Sequence, residues 1–304
     1  MRKQPVRQPY TLTAGDLDIL QIVHEFHFIT CDLLIKLKYS KGTKTTVQTK
    51  LKCLYENKYL DRRALPSVRG TKEFIYALST KSINILKAMG FEGFSRFRPD
   101  EFRQFAFPHL DHALSLNSLL IEARLLTRDI PSIYLASMIH DLDLKKTPVR
   151  VTVERRLPHG GKREEKISIV PDAWLDFRMV VPDRPKPRRR CISLELDRGT
   201  QTNSGEFKKK LLAYYAYALS EEYKAVFATN LCLVAYATTS GDRRRDQMLA
   251  WCEQELTQQH LQHEANLYRF AALPRKEYHP QELFCSPIWY IPFESQPTSL
   301  LWQV

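Results

Sequence analysis

From residue 109 onward, β-type and helical runs follow one another in an order that few architectures can accommodate. His109 to Arg128 reads as a helix, with Leu110, Leu114, Leu116, Leu119, Leu120, Ala123 and Leu126 apolar. Strand-like runs follow at Val149–Val153, Ile167–Val170, Trp174–Val181 and Cys191–Leu196. A helix (Ser204 to Ser220), a strand (Leu231–Ala237), a helix (Arg243 to Gln259) and a last strand-like run (Asn266–Ala271) complete the series. Each helix has an apolar face to bury and each strand needs partners, so this order predicts a mixed α/β sandwich.

The first ninety residues are of another kind. Ala14–Phe26 places Leu17, Leu20, Ile22 and Val23 at helical spacing, with Thr13 as N-cap and Asp16 as capping-box partner. Thr30 caps a second short helix, Ser40-Lys41-Gly42 makes a turn, and a third helix runs from Lys44 to Asn57. Its stripe of Val47, Leu51, Leu54 and Tyr55 faces inward, leaving Lys44, Thr45, Gln48, Thr49 and Lys52 on the other side. Tyr59–Arg63 and Glu73–Leu78 read as two strands around a basic tip, residues 66–72, containing Arg69 and Lys72. Ser79 caps a closing helix to Met89, ended by Gly90. Three short helices and a hairpin describe a winged helix-turn-helix, with the third helix in the DNA major groove and the wing on phosphate or minor groove.

Charge supports that reading. Residues 1–90 hold 16 Lys and Arg against 7 Asp and Glu; the other 214 residues hold 30 against 27. A basic module joined to a near-neutral one favours phosphate backbones through counterion release. A helix fits the major groove of B-DNA and not that of A-form RNA, so duplex DNA is the expected partner. A protein-binding winged helix is the other use of the same elements. No apolar run approaches the roughly 18 residues a membrane helix needs. The opening Met-Arg-Lys-Gln-Pro has no signal-peptide core, so a cytoplasmic protein without membrane partners is expected. The six cysteines show no CxxC or CxH spacing and read as free thiols rather than a zinc site.

Candidate chemistry gathers at two strands. Pro171-Asp172 puts a carboxylate at the start of one. The strand returning through Cys191–Asp197 alternates Ile192, Leu194 and Leu196 with Ser193, Glu195 and Asp197, so the last two carboxylates share a face. If the strands pair, Asp172 joins them. Converging carboxylates repel unless a cation lies between them, and hard oxygen ligands suit Mg²⁺ or Mn²⁺. On the next helix stand Lys208, Lys209 and Lys210, the last on one face with Tyr214. Tyr214, Tyr215 and Tyr217 at helical spacing read as core. Arg198 suits a phosphate clamp or an ion pair with Asp197 equally well. His109 and His112 read as capping and packing residues.

The Pro171-Asp172 and Glu195-Leu196-Asp197 elements resemble the PD-(D/E)xK nuclease superfamily, and with it a restriction-endonuclease-like core of helix, three strands, helix and strand. Asp197 stands where that pattern has Lys. In the superfamily the Lys can move to the following helix, which implies Lys210. Glu122 on the preceding helix stands where some members carry an extra acidic ligand. The resemblance implies catalysis by Asp172, Glu195, Asp197 and Lys210, Mg²⁺ or Mn²⁺ on Asp172 and Glu195, and accessory roles for Glu122, Arg198 and Tyr214. A closer likeness, over roughly residues 14–238, is to the replication-relaxation family of mobile elements, including MOBC-class mobilisation relaxases. Pro171-Asp172-Ala173, Leu194-Glu195-Leu196-Asp197-Arg198-Gly199-Thr200, Lys210–Tyr214 and His109-Leu110-Asp111-His112 carry it.

The expectation is therefore a two-domain α/β protein of a mobile element. Residues 1–90 form a DNA-binding winged helix, 91–108 a Phe- and Arg-rich connector read as packing, 109–273 a nuclease-like domain, and 274–304 a tail rich in proline and exposed-type aromatics such as Trp289, Tyr290 and Trp302. It would nick or cleave DNA with accessory proteins of its element, a homodimer remaining open. The alternative is a non-catalytic DNA-binding regulator or assembly factor with a degenerate nuclease domain.

Overall fold

The structure is a computed structural model that describes residues 10–66, 73–92, 102, 104–156, 160–182, 185–199, 203–274 and 278–301. Arg69, Lys72, Thr200 and Trp302 lie outside the described residues. The chain divides into two compact units, Met1–Asn117 and Ser118–Val304, and the division falls within one helix, α5 (Phe107–Asp129).

In the first unit α1 (Ala14–Phe26) begins with the expected capping box between Thr13 and Asp16. Ile19, Leu20, Val23 and Phe26 are buried, while Leu17 and Ile22 are half-buried. A two-residue strand absent from the sequence reading, β1 (Ile29–Thr30), leads into α2 (Cys31–Lys38), where Thr30 accepts from the Leu33 N–H. After a 3-10 turn comes α3 (Lys44–Glu56), burying Val47, Leu51 and Leu54. The hairpin is β2 (Leu60–Ala64) and β3 (Phe74–Leu78), antiparallel with Leu60 opposite Leu78; β1 pairs on the far edge of β3. After β3 comes α4 (Thr80–Ala88), capped by Ser79.

One buried carboxylate orders this unit. Asp16, fully buried, accepts from the Tyr10 hydroxyl at 2.8 Å and the Thr13 N–H at 2.9 Å, and Lys50 of α3 reaches it at 3.3 Å. A buried charge persists only when paired and hydrogen-bonded, so Asp16 ties α3 to the start of α1. From the connector, Phe102 is fully buried and stacks on Phe28 at 5.6 Å.

The second unit contains a mixed five-stranded sheet in the order β10-β9-β8-β7-β4. Its strands are β4 (Ile133–His140), β7 (Ala173–Met179), β8 (Arg188–Asp197), β9 (Leu233–Thr238) and β10 (Tyr268–Ala272). β4, β7 and β8 run antiparallel, whereas β8, β9 and β10 run parallel. A short helix, α6 (Asp141–Leu144), follows β4. β5 (Val149–Arg156) and β6 (Lys162–Ile169) do not join this sheet; they form a separate hairpin. Alternate residues Val149, Val151 and Val153 of that hairpin share a core with α7 (Ser204–Leu219) and α9 (Asp242–Gln259), and Arg155 pairs with Glu255 of α9 through two 3.1 Å hydrogen bonds. Between α7 and β9 lies α8 (Glu221–Phe227).

The proline-rich tail is part of this unit's interior. It forms α10 (Pro280–Cys285), whose Phe284 packs on Phe177 of β7 at 5.2 Å. Trp289, expected to be exposed, is buried, and its indole N–H donates to the Leu283 carbonyl at 2.8 Å. That satisfied donor is what permits the burial. Tyr290 bridges to Phe270 and so covers the free edge of β10. Among the described residues no helix is long and apolar enough to cross a membrane.

Candidate active site

The register of β7 and β8 decides which carboxylates meet. Ala173 stands opposite Leu194, so Asp172, one residue before β7, lies across from Glu195. Pro171 restricts the approach to extended backbone. The Asp172 carboxylate accepts from the Leu196 N–H at 2.8 Å, and its carbonyl accepts from the Asp141 N–H at 2.9 Å. Both bonds fix the carboxylate against the end of β8.

Glu195 points to the face covered by α7 and is buried, at 6% exposure. One carboxylate oxygen accepts from Lys210 Nζ at 2.5 Å, the other from the Tyr214 hydroxyl. Lys210 and Tyr214, one helical turn apart on α7, thus descend onto the same strand residue. Burial, reinforced by the nearby charge of Asp172, holds the Glu195 carboxyl above its ordinary range, although Lys210 and Tyr214 pull the other way. Burial would push the Lys210 ammonium down, yet the charges of Glu195 and Asp172 outweigh it and hold it up. The Tyr214 hydroxyl, fully buried beside Glu195, is driven well above its usual range and stays a donor. Lys208 and Lys209 turn elsewhere, to Gln254 at 3.2 Å and Glu165 at 2.5 Å.

Asp197 does not join the other two carboxylates. Arg244 of α9 grips it with two hydrogen bonds of 2.9 Å, from Nε and Nη2. The Gly199 N–H at 2.9 Å and the Thr238 hydroxyl at 3.0 Å complete its shell. The expectation of three converging carboxylates is corrected here: strand alternation places Asp197 on the right face, but a guanidinium 47 residues further on claims it. Gly199 makes the tight turn after the clamp at φ +73°, where a Cβ would come within 2.5 Å of the Ser240 hydroxyl. Among the described residues no group of three or more His, Cys, Asp or Glu side chains stands where it could hold a metal ion.

Lys44, Thr45, Gln48, Thr49 and Lys52 all lie on the exposed side of α3. Lys44 pairs with Asp32 at 2.7 Å and Lys52 with Glu56 at 3.8 Å, all four side chains more than half exposed. Glu122 on α5 is fully buried, and its charge acts on the Tyr278 hydroxyl. Arg198 is half-buried after β8, and Asp197's partner is Arg244 rather than Arg198. Two residues that sequence reasoning missed sit at the site. One is Arg244, which has no local signal. The other is Tyr236, opposite Glu195 in the parallel β8–β9 register.

No curated protein and no solved structure matches this chain. A family model described as replication-relaxation matches residues 20–230, well over half of the sequence, and spans the exposed face of α3, both site carboxylates and Lys210. The chain belongs to the replication-relaxation family, which ties it to DNA and to the replication or mobilisation of DNA.

Proposed function

We propose that this protein binds duplex DNA through a winged helix-turn-helix and cleaves a DNA strand at a metal-dependent site of PD-(D/E)xK type built from Asp172, Glu195 and Lys210. The observation that carries the reading is the helix-borne ammonium: Lys210 reaches Glu195 at 2.5 Å and feels the charge of Asp172, supplying from α7 the cation that the strand lacks at position 197. Mg²⁺ is commonly held by one or two carboxylates with water and substrate phosphate, so the pair Asp172 and Glu195 is a sufficient protein ligand set. Burial is the main reason Glu195 is raised, and the repulsion from Asp172 that adds to it is what a cation relieves. Bound there, Mg²⁺ or Mn²⁺ supplies activation of water and neutralisation of the leaving oxygen.

The chain's own groups have distinct tasks. Asp172 is held ready by the Leu196 N–H. Tyr214 fixes the orientation of Glu195. Lys210 presents positive charge where the phosphate gains negative charge in the transition state. In the first unit the exposed face of α3, anchored by Asp16 and Lys50, offers Lys44, Gln48 and Lys52 to DNA. The Lys44–Asp32 pair is solvent-exposed and cheap to exchange for a phosphate.

The second reading is a DNA-binding factor that does not cut, favoured by the diversion of Asp197 to Arg244. Purified protein incubated with supercoiled plasmid of its own element decides between them. Open circles with Mg²⁺ or Mn²⁺, absent with EDTA and in Glu195→Ala, establish cleavage at this site. No product in any lane, with mobility shifts retained, selects the binding factor.

A further inference from the structure

Directly beside Glu195 is a hydroxyl that has no hydrogen-bond partner among the described residues. Tyr236 of β9 is opposite Glu195 in register, so both side chains leave the same face of the sheet. The residue is 3% exposed, and among the described residues its hydroxyl has no hydrogen-bond partner. The ring is locked on three sides: stacked on Phe270 at 5.2 Å, against Phe207 at 5.3 Å, and edge-on to Tyr214 at 6.2 Å. It therefore cannot swing away to find water.

A buried hydroxyl without a partner costs free energy that a phenylalanine in the same slot avoids. Such groups are scarce in folded proteins, and each calls for a cause. Tyr268, another tyrosine of the same core, meets the rule by donating to the Leu211 carbonyl at 2.9 Å. Tyr223 does so by donating to the Leu231 carbonyl at 2.6 Å. What distinguishes Tyr236 is its place in the sheet. By register it forms one row across the sheet with Glu195 and Asp172, the three residues side by side on β9, β8 and the start of β7. It is a neutral hydroxyl able to donate and accept, set beside the two carboxylates assigned to the cation.

We propose that Tyr236 is a positioning residue of the cation site: its hydroxyl hydrogen-bonds a water in the coordination shell of the divalent ion held by Asp172 and Glu195. The inference rests on the metal-site reading and adds a residue to it. Mg²⁺ and Mn²⁺ keep several waters when only two carboxylates bind them, and these waters need fixed partners. Lys210 and Tyr214 already bond Glu195, and among the described residues the Tyr236 hydroxyl is a polar group of this row still able to take the task.

The test is Mn²⁺ affinity of the EDTA-stripped full-length protein, from titrations that follow free Mn²⁺ by electron paramagnetic resonance, for wild type, Tyr236→Phe and Glu195→Ala. The metal-free melting temperature of each is measured alongside. Tyr236→Phe is expected to melt at or above the wild-type temperature, because only an unpartnered oxygen is lost, while its Mn²⁺ affinity falls about tenfold or more. Glu195→Ala is expected to lose specific binding. Unchanged Mn²⁺ affinity in Tyr236→Phe, with Glu195→Ala deficient, overturns the role of Tyr236 and leaves the metal site standing. No Mn²⁺ binding by wild type overturns both. A melting temperature of Tyr236→Phe several degrees below wild type shows that the hydroxyl has a structural partner and also overturns the proposal.

Discussion

Replacing Asp197 by Ala separates architecture from chemistry at the end of β8. The Asp197 and Arg244 side chains are 10% and 9% exposed, so solvent screens their interaction little. Removing the carboxylate takes the countercharge from the buried guanidinium, which keeps Gln247 at 2.7 Å, and takes an acceptor from the Thr238 hydroxyl and the Gly199 N–H. Breaking a buried pair in this way costs about 3–5 kcal/mol. For a unit the size of Ser118–Val304, each kcal/mol shifts the melting temperature by roughly 2–4 °C, so a fall on the order of 6–20 °C is expected. Scanning calorimetry of Asp197→Ala, Arg244→Ala and the double variant measures it. The double variant should lose much less than the two single losses added, because neither partner is then stranded. The acid limb gives a second check. Burial raises the Asp197 carboxyl, but the hydrogen bonds and charge of Arg244 and the Gly199 N–H outweigh it and hold it below its ordinary 3.8. A depressed carboxyl contributes stability above its unfolded value and loses it as pH falls through the folded one. The gap between wild type and Asp197→Ala should therefore close below about pH 4. An Asp197→Ala protein that melts within about 2 °C of wild type and has lost Mn²⁺ binding would refute this reasoning and point to a part for Asp197 in the proposed cation site.

Three further outcomes are expected. Lys210→Met should slow metal-dependent nicking about 10²–10³-fold, as for loss of one preorganised group facing developing charge, with α3-mediated DNA affinity kept. Because Glu195 sits above its ordinary 4.5, Mn²⁺ affinity should be lost on acidification while ordinary glutamates are still ionised, and Lys210→Met should move that midpoint upward. Replacing Lys44 and Lys52 by Ala should lower DNA affinity and reduce the slope of log affinity against log salt by about one per lysine that contacts phosphate; an unchanged slope, measured by fluorescence anisotropy, removes α3 from the interface.

Much of this arrangement was legible in local pattern. Thr13 and Asp16, Thr30 and Ser79 announce helix starts because capping is a contact between near neighbours in sequence. The alternation of Cys191–Asp197 announces β8, and Pro171-Asp172 announces the turn into β7, because side-chain period and proline sterics act within a few residues. What escaped depends on distant partners. β4 carries a bulge between Leu135 and Ser137 that breaks its alternation, so Ile133–His140 lacks a strand pattern although β7 pairs with it. β5 and β6 have clear strand character, yet nothing in them says that they form a hairpin apart from the main sheet. Trp289 and Ile291 look like tail residues until the surface that covers them is known. Asp197 follows the same rule: its face was legible in the alternation, its Arg244 partner on that face was not. Tyr236 reads as one more core aromatic in a β run, and only its hydroxyl's missing partner marks it out.

Placing the ammonium on α7 instead of on β8 changes what keeps the site assembled. In a single strand, acid and lysine are two peptide units apart and stay so even in a loosened chain. Here Lys210 reaches Glu195 only while α7 is seated on the sheet by Phe207, Tyr214 and the aromatic faces below them. An expanded intermediate that keeps its helices but not its packing would hold every residue of the site and none of its geometry. The Lys210–Glu195 contact thus becomes a readout of completed tertiary folding, made only once α7 has docked.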